Sequence, residues 1–184
     1  AKITPKQPLW LSGYGSRNRP SEGTRVDLWV KALALQDSRG HQALLITLDL
    51  VGIDHALSAS ICSGLMERHG LERSQILLST SHTHTGPVVG ENLRAMYFFP
   101  PGMWQRVEQY TKQLRDKIVT TAGTAFDHLE PARLAWGNGT AGIGVNRRNN
   151  TEADVPRLRV KGMLKGPVDH DVPVLSVHSD EGRL

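Results

Sequence analysis

The feature that most constrains the fold is the run at residues 43–51, which is almost entirely apolar and rich in branched side chains. Such a run is typical of a central β-strand that is buried on both faces. The preceding segment, residues 25–36, alternates between apolar and polar side chains, as a strand with one solvent-facing side does. The turn residues 37–40 separate the two segments, so we predict that they pair as a hairpin.

Two later segments, residues 56–69 and residues 104–126, carry apolar side chains at helical spacing. Gly70 follows the first of them directly, which is a common way for a helix to end. Residues 3–11 look like an entering strand that is broken by Pro5 and Pro8. Other strand-like segments are residues 74–84, 132–136, 157–160 and 172–178. This order predicts an α/β (α+β mixed) fold, with a mixed β-sheet flanked by helices and no internal domain boundary between residues 1 and 184.

The last residues of the chain suggest an unfinished hairpin. Residues 179–182 have the composition of a hairpin turn, and Arg183 and Leu184 would begin the returning strand. We therefore expect the sheet to be incomplete at the C-terminus and the chain to be a fragment of a larger domain. The alternative is that residues 172–177 pair elsewhere and the tail frays.

Composition narrows the classes of partner. Twenty-two basic and 18 acidic residues give a dispersed net charge of +4, without a basic run interleaved with aromatic residues, so we expect no nucleic-acid partner. No apolar stretch approaches the roughly 20 residues that span a bilayer, so we expect no transmembrane segment. The single cysteine, Cys62, excludes a disulfide within the chain.

The sequence SHTHTGP at residues 81–87 is the strongest candidate for chemistry. On a strand, His82 and His84 would point to the same face, with Cβ atoms roughly 6.5–7 Å apart. Because Zn–N bonds are about 2.0–2.1 Å long, one zinc ion could take both imidazoles. Equally, one imidazole could bind the ion while the other acts beside it or as a proton donor. A hydrogen-bonded pair of structural histidines is the third alternative.

A catalytic zinc needs three protein ligands and an open position for water. The other histidines do not form a second ligand motif, since most lie in turns, caps or polar loops. His69 ends a predicted helix, where the helix dipole favours a cationic imidazole at the surface. The third ligand is therefore either distant in sequence or absent from the chain.

Three further positions could contribute to a site. Arg147, next to Asn146 in a Gly-rich loop, could grip an oxyanion or carboxylate through its guanidinium group. Gly13 could let the backbone approach a ligand closely. Asp49, at the end of a buried strand, either supports the histidine pair or caps the following helix.

Taken together, these residues resemble the N-terminal domain of the neutral/alkaline non-lysosomal ceramidase family. The motif at residues 81–87 is similar to the family sequence His-Thr-His-Ser-Gly-Pro. The other matching segments follow in the family's order, at residues 1–5, 13–15, 28–32, 48–50, 146–147 and 169–174. Two departures, Thr85 in place of Ser and Val88-Val89 in place of glycines, put bulkier residues beside the motif. They indicate a divergent branch whose substrate need not be ceramide.

The resemblance implies a zinc amidase that cleaves the N-acyl bonds of sphingolipids, with Zn2+ as cofactor. By motif position, His82 would be a zinc ligand, and His84 and Arg147 would be catalytic residues. Gly13 and Asn146 would contact the substrate. The remaining ligands, a His, a Glu and a Tyr, would lie beyond residue 184, so the zinc site would be incomplete and the fragment inactive alone.

The resemblance also implies a small-molecule or lipid amide substrate reached at a membrane surface, and a secreted or periplasmic location. Two alternatives to a ceramidase-like enzyme stay open. One is a different metal-dependent hydrolase with an HxH site, such as an amidohydrolase. That family places HxH on the first strand of its barrel, whereas here at least two strands precede it. The other is a non-catalytic binding domain in which the histidine pair is structural.

Overall fold

The computed structural model describes residues 1–179 and residue 182. The chain contains both helices and sheets, as predicted, and divides into two compact units, Ala1–Leu129 and Glu130–Leu184. Asp180, Glu181, Arg183 and Leu184, on which the predicted C-terminal hairpin depends, lie outside the described residues. Within the described residues, no helix combines the length and apolarity needed to cross a membrane.

The first unit contains a sheet of strands β1 (Val30–Gln36), β2 (Gln42–Leu48) and β3 (Ile76–Thr80). The strands β1 and β2 form the predicted antiparallel hairpin, in which Val30 pairs with Leu48. The strand β3 lies parallel to β2, with Leu44 beside Ile76 and Leu48 beside Thr80. The sheet is therefore mixed, with β2 in the centre.

Helix α1 (His55–His69) makes the crossover from β2 to β3, and helix α2 (Met103–Asp127) follows later in the chain. The Asp54 carboxylate caps α1 by accepting from the Leu57 N–H at 2.8 Å, and Gly70 ends it in a left-handed conformation. Helix α2 packs against α1 and β1. Both helices and the sheet share one apolar core, which includes Ile46, Ile61, Leu65, Leu114 and Ile118.

Two predictions for this part of the chain differ from the structure. Residues 3–11, predicted as a strand broken by two prolines, form no strand at all. Single bridges hold this segment instead, at Lys2 with Trp29 and at Leu11 with Pro87, because prolines cannot donate to a ladder of hydrogen bonds. The strand β2 is also not buried on both faces. Leu44, Ile46 and Leu48 are buried, whereas the residues between them are half-buried or exposed.

His69 also departs from the expected surface position. Its ring lies 5.0 Å from the ring of Phe126 on α2, and its Nε2 atom is buried. This burial, together with the nearby Arg68 guanidinium, lowers the pKa of His69. Burial thus outweighs the helix dipole, which would favour the cation.

The second unit contains the antiparallel pair β4 (Ala132–Thr140) and β5 (Asp171–Ser179), in which Trp136 lies opposite Leu175. Between them lies helix α3 (Val155–Val160), where a strand was predicted at residues 157–160. Pro156 favours a helix at this point because a proline in the first turn lacks only an N–H that has no helical partner. Arg157 adds an ion pair to Asp154 at 2.9 Å.

Candidate functional site

The histidine motif lies in a loop, not on the strand predicted at residues 74–84. The strand β3 ends at Thr80, and the Ser81 N–H donates to the Leu48 carbonyl at 3.0 Å. His82 then adopts a left-handed conformation, with φ of 54°. This conformation is uncommon for residues other than glycine and turns the chain away from the sheet. The two imidazoles nevertheless lie together, with ring centroids 5.1 Å apart.

One ring nitrogen of His82 forms a hydrogen bond with the backbone just beyond the central strand β2. The Nδ1 atom lies 2.8 Å from the carbonyl oxygen of Val51, just after β2. A carbonyl oxygen can only accept, so Nδ1 carries the hydrogen and Nε2 of the neutral ring keeps its lone pair. Histidines that bind metals are commonly oriented by such a bond from the other nitrogen. The exposed His82 side chain is therefore arranged as a metal ligand would be.

His84 is half-buried between residues of the N-terminal segment. Its ring lies flat against Gly13, where an added Cβ would come within 2.5 Å of Cγ and 2.7 Å of Nδ1. The Tyr14 ring meets it edge-on, with centroids 4.6 Å apart. Gly13 is thus required to be a glycine by its contact with His84, in addition to its φ of 96°.

Hydrogen bonds fix the N-terminal segment against the motif. The Tyr97 hydroxyl lies 2.9 Å from both Ser12 Oγ and the Gly13 N–H, and it accepts from the latter. The Arg17 guanidinium donates to the carbonyl oxygen of His84 at 2.7 Å and lies over the Tyr14 ring at 5.3 Å. The Gly13-Tyr14-Gly15 sequence was a weak signal for this arrangement, and nothing in the sequence marked Arg17 or Tyr97.

Val88 and Val89, which depart from the family pattern, do not line this cluster. Both are buried, Val88 among Leu9, Trp10 and Tyr97, and Val89 in the main core. The expectation that they add bulk beside the histidines is wrong, because their side chains serve packing. Thr85 remains at the surface, where its hydroxyl lies 2.9 Å from Thr83 Oγ1.

Asp49 takes neither of the two roles expected for it. Its carboxylate accepts from the Trp29 N–H at 2.9 Å and so extends the contact between β1 and β2. The cap of α1 is Asp54 instead. The sequence offered two carboxylates before α1, and only the structure distinguishes them.

The side chains of this cluster meet part of what a zinc site requires. His82 fits the role of one ligand, since its Nδ1 bond leaves Nε2 able to coordinate. In the part of the chain that the structure describes, no three His, Cys, Asp or Glu residues are grouped so that they could hold a metal ion. These residues therefore supply a ligand of suitable chemistry but not a complete set.

Asn146 and Arg147 lie in the second unit. Asn146 organises its loop by accepting from the N–H groups of Arg148 and Asn149 at 3.1 and 3.2 Å and donating to Pro167 at 3.1 Å. Arg147 is exposed and pairs with Glu152 at 2.8 Å. Its guanidinium is therefore presented at the surface, while the Asn146 side chain is used within the loop.

The fold was compared with solved structures. The neutral ceramidase from Pseudomonas aeruginosa matches with a TM-score of 0.77 and 22% identity, over 100% of this chain and 29% of that chain. A ceramidase complexed with C2 also matches at 0.77, with 21% identity, over 100% of this chain and 28% of that chain. At these identities the likeness shows the fold. The chain spans less than a third of the length of these ceramidases.

The sequence was compared with models of protein families. The model described as neutral/alkaline non-lysosomal ceramidase, N-terminal, matches residues 4–183. The match includes both histidines of the motif, Gly13 and the loop of Arg147. It extends over nearly the whole chain and agrees with the fold of the solved ceramidases. The chain therefore belongs to the neutral/alkaline non-lysosomal ceramidase family.

Proposed function

We propose that the full-length protein is a zinc-dependent amide hydrolase that cleaves the N-acyl bond of a lipid amide such as an N-acylsphingosine. The observation that carries this proposal is the orientation of His82. Its Nδ1 atom bonds to Val51, which leaves Nε2 available for a metal directly beside a second imidazole. Membership of the ceramidase family supports the class of reaction.

His82 would hold the zinc ion through Nε2, and the other ligands would come from parts of the full-length protein outside residues 1–184. A zinc ion bound there would polarise the amide carbonyl and lower the pKa of a bound water to about 7. His84 is held against Gly13 and Tyr14, which fixes its ring beside His82 before any substrate arrives. Such preorganisation is effective because the group need not reorient during the reaction.

Arg147 would bind a polar group of the substrate. Its present partner, Glu152, is exposed, so the ion pair contributes little and can be exchanged for another anion or oxygen acceptor. Asn146 would act indirectly, since its side chain shapes the loop that carries Arg147. The assignments of both residues rest on the family motif together with this loop geometry.

An apolar surface next to His84 supports a lipid substrate. Tyr14, which touches the His84 ring, is 54% exposed. The segment at residues 93–98 lies beside it, because Cε of Met96 is 3.6 Å from the position of a Cβ at Gly15. Phe98, in the same segment, is 91% exposed. We propose that the substrate is reached at a membrane surface, and that the protein is secreted or periplasmic.

The decisive experiment is the His82→Ala variant of the full-length protein, with zinc content and hydrolysis of an N-acylsphingosine as readouts. We expect bound zinc and activity to fall together. His55→Ala is the matched control, since His55 is exposed at the start of α1 and belongs to no proposed site. Undiminished hydrolysis by His82→Ala would disprove the zinc assignment.

A non-catalytic binding domain is the second candidate. The bond from His82 to the Val51 carbonyl would also suit a structural histidine. A zinc titration of the full-length protein separates the two functions, because a structural pair predicts no zinc uptake at His82 and no amide hydrolysis. The barrel of an amidohydrolase is less compatible, since an antiparallel hairpin precedes the motif.

A further inference from the structure

The sheet of the first unit has one face that its helices do not cover. Neighbouring side chains on a strand point to opposite faces. Ile46 of β2 points into the core that the sheet shares with α1 and α2. Leu45 therefore points the other way, and so do Leu33 and Leu77, which lie beside it in register. Neither apolar core of the described residues includes any of these three leucines.

The three leucines form a row across the whole sheet, Leu33 on β1, Leu45 on β2 and Leu77 on β3. Because neighbouring strands lie about 4.8 Å apart, the row is roughly 10 Å wide. Leu35 and Ala43 pair on the same face and extend it towards the hairpin turn. Leu77 is 56% exposed, and the other four residues are half-buried. This leucine face, residues 33, 35, 43, 45 and 77, is thus apolar and open to water.

The sequence of the strands is unusual for a sheet with one face in water. Such a sheet alternates apolar and polar residues, whereas strands buried on both faces read as nearly continuous apolar runs. The strand β2 reads ALLITL over residues 43–48, and β1 reads ALAL over residues 32–35. This composition is that of a sheet enclosed between two layers, of which the helices are one.

We propose that the full-length protein covers the leucine face with a layer of its own chain from outside residues 1–184. The length of the relatives favours this occupant, because the chain covers only 29% and 28% of the two ceramidases that share its fold. A lipid surface fits less well, since it would leave the leucines in water whenever the protein is not bound to it. In the full-length protein β2 would then be buried on both faces.

A polar row marks where that layer should stop. Lys31, Thr47 and Ser79 lie side by side on the same face, one row beyond the leucines, and all three are exposed. Burying the Lys31 ammonium group would be costly without an acidic partner. We therefore expect the layer to rest on the leucine face and to leave the polar row in water.

Hydroxyl-radical footprinting of the unmodified full-length protein, in the absence of lipid, measures the cover directly. Tandem mass spectrometry identifies the oxidised side chains, and a synthetic peptide of residues 72–80 gives the oxidation rate of an uncovered Leu77. We expect Leu77 to be protected as strongly as Leu44, which is fully buried in β2. Oxidation of Leu77 to the extent that its 56% exposure predicts would overturn the proposal.

A charged substitution gives a second, independent test. Leu77→Lys in the full-length protein should lower the urea midpoint, because the layer would bury an unpaired ammonium group. Ser79→Lys is the matched control on the same strand and the same face, and its midpoint should stay near that of the unmodified protein. A midpoint of Leu77→Lys equal to that of the unmodified protein would count against any covering layer. If Leu77→Lys does not fold, the footprint of the unmodified protein still decides.

The footprint also distinguishes other occupants of the leucine face. Protection of Leu77 that disappears on dilution would assign the face to a second copy of the protein. Protection that appears only after phosphatidylcholine vesicles are added would assign it to a lipid surface. Either result overturns the proposal. None of these measurements depends on zinc or on amide hydrolysis, so they decide the inference even if the proposed function is wrong.

Discussion

Gly13 is a residue whose missing side chain decides where His84 lies. A Cβ at this position would stand 2.5 Å from Cγ of His84, closer than real contacts allow. We predict that Gly13→Ala displaces the imidazole and lowers kcat/KM of the full-length protein for the proposed hydrolysis about 100-fold, the scale expected from a misplacement of about 1 Å. Steady-state kinetics on an N-acylsphingosine would measure this.

Gly40 provides the matched control for backbone strain. Its φ of 86° resembles the 96° of Gly13, but nothing lies within 4 Å of an added Cβ. Gly40→Ala should therefore lower the free energy of unfolding by about 1–2 kcal/mol, as backbone strain does in Gly13→Ala, but it should leave activity unchanged. Urea unfolding would measure the change in stability. Equal activity in the two alanine variants would show that the contact with His84 is unimportant.

Arg147 differs from its neighbour Arg148 in its proposed contact with substrate. We predict that Arg147→Ala lowers kcat/KM by at least about 10-fold, since a charge-assisted hydrogen bond contributes about 1.5–3 kcal/mol, while Arg148→Ala does not. Glu152→Gln removes the competing partner of Arg147 and should leave kcat/KM unchanged or higher. A drop in kcat/KM for Glu152→Gln as large as that for Arg147→Ala would assign the ion pair a structural role instead.

His69, at the end of helix α1, is a titratable group that packs against Phe126 of helix α2. Its pKa is lowered by burial and by Arg68, against a smaller opposing effect of Asp127. In the unfolded chain His69 has the ordinary histidine pKa of about 6.5. As the pH falls below that value, the unfolded chain therefore binds more protons than the folded chain does. The contribution of a neutral His69 to the free energy of unfolding is complete above that pH and is lost as the pH decreases towards its lowered pKa.

We predict that His69→Phe reduces the loss of stability between pH 7.5 and pH 5.5. Urea unfolding at the two pH values gives the measurement. His128→Phe is the control, because His128 is exposed at the end of α2. A pH dependence of unfolding in His69→Phe that matches the unmodified protein would mean that other groups account for it.

The segment at residues 93–98 exposes the apolar side chains of Leu93, Met96 and Phe98, which are not part of the buried core. Phe98 is 91% exposed, whereas the next residue, Phe99, stacks with Tyr97 and Trp104. Burying one phenylalanine in a lipid surface contributes about 1.5–3 kcal/mol, so Phe98→Ser should weaken vesicle binding at least about 10-fold. Turnover of a short-chain soluble amide should not change.

Ile143→Ser is the control for that experiment, since Ile143 is 85% exposed in the second unit. Vesicle cosedimentation of both variants would separate a specific contact from general loss of surface apolarity. Equal weakening by the two substitutions would remove the special role of Phe98.

Elements with long periodic patterns were predictable, and those set by a few local contacts were not. Helix α2 extends over Met103–Asp127, close to the predicted residues 104–126, because its apolar stripe repeats over many turns. Helix α3 was mistaken for a strand because its six residues are too few to show a period. The strand β3 ends at Thr80, shortly before the left-handed His82, and even histidine adopts this conformation too rarely for the sequence to predict it.

For the whole molecule, the sequence identified the motif and the family but not the arrangement that makes the motif usable. His82 and His84 were found from their spacing, although the strand that was to align them ends before either. Their alignment comes from contacts distant in sequence, Val51 for His82 and Gly13 for His84. Such pairs lie tens of residues apart, so a local pattern could not reveal them.

The last prediction concerns the 184-residue chain against the full-length protein. A catalytic zinc takes three protein ligands, and the described residues contain no group of three that could provide them. We predict that the chain alone takes up zinc weakly through His82 and does not hydrolyse amides. The full-length protein should bind zinc tightly and hydrolyse amides. Isothermal titration of both proteins, each with its His82→Ala variant, would measure zinc uptake. Circular dichroism would show whether the shorter chain is folded. Tight, stoichiometric zinc binding by the folded 184-residue chain would contradict the prediction, because its own residues would then have to complete the site.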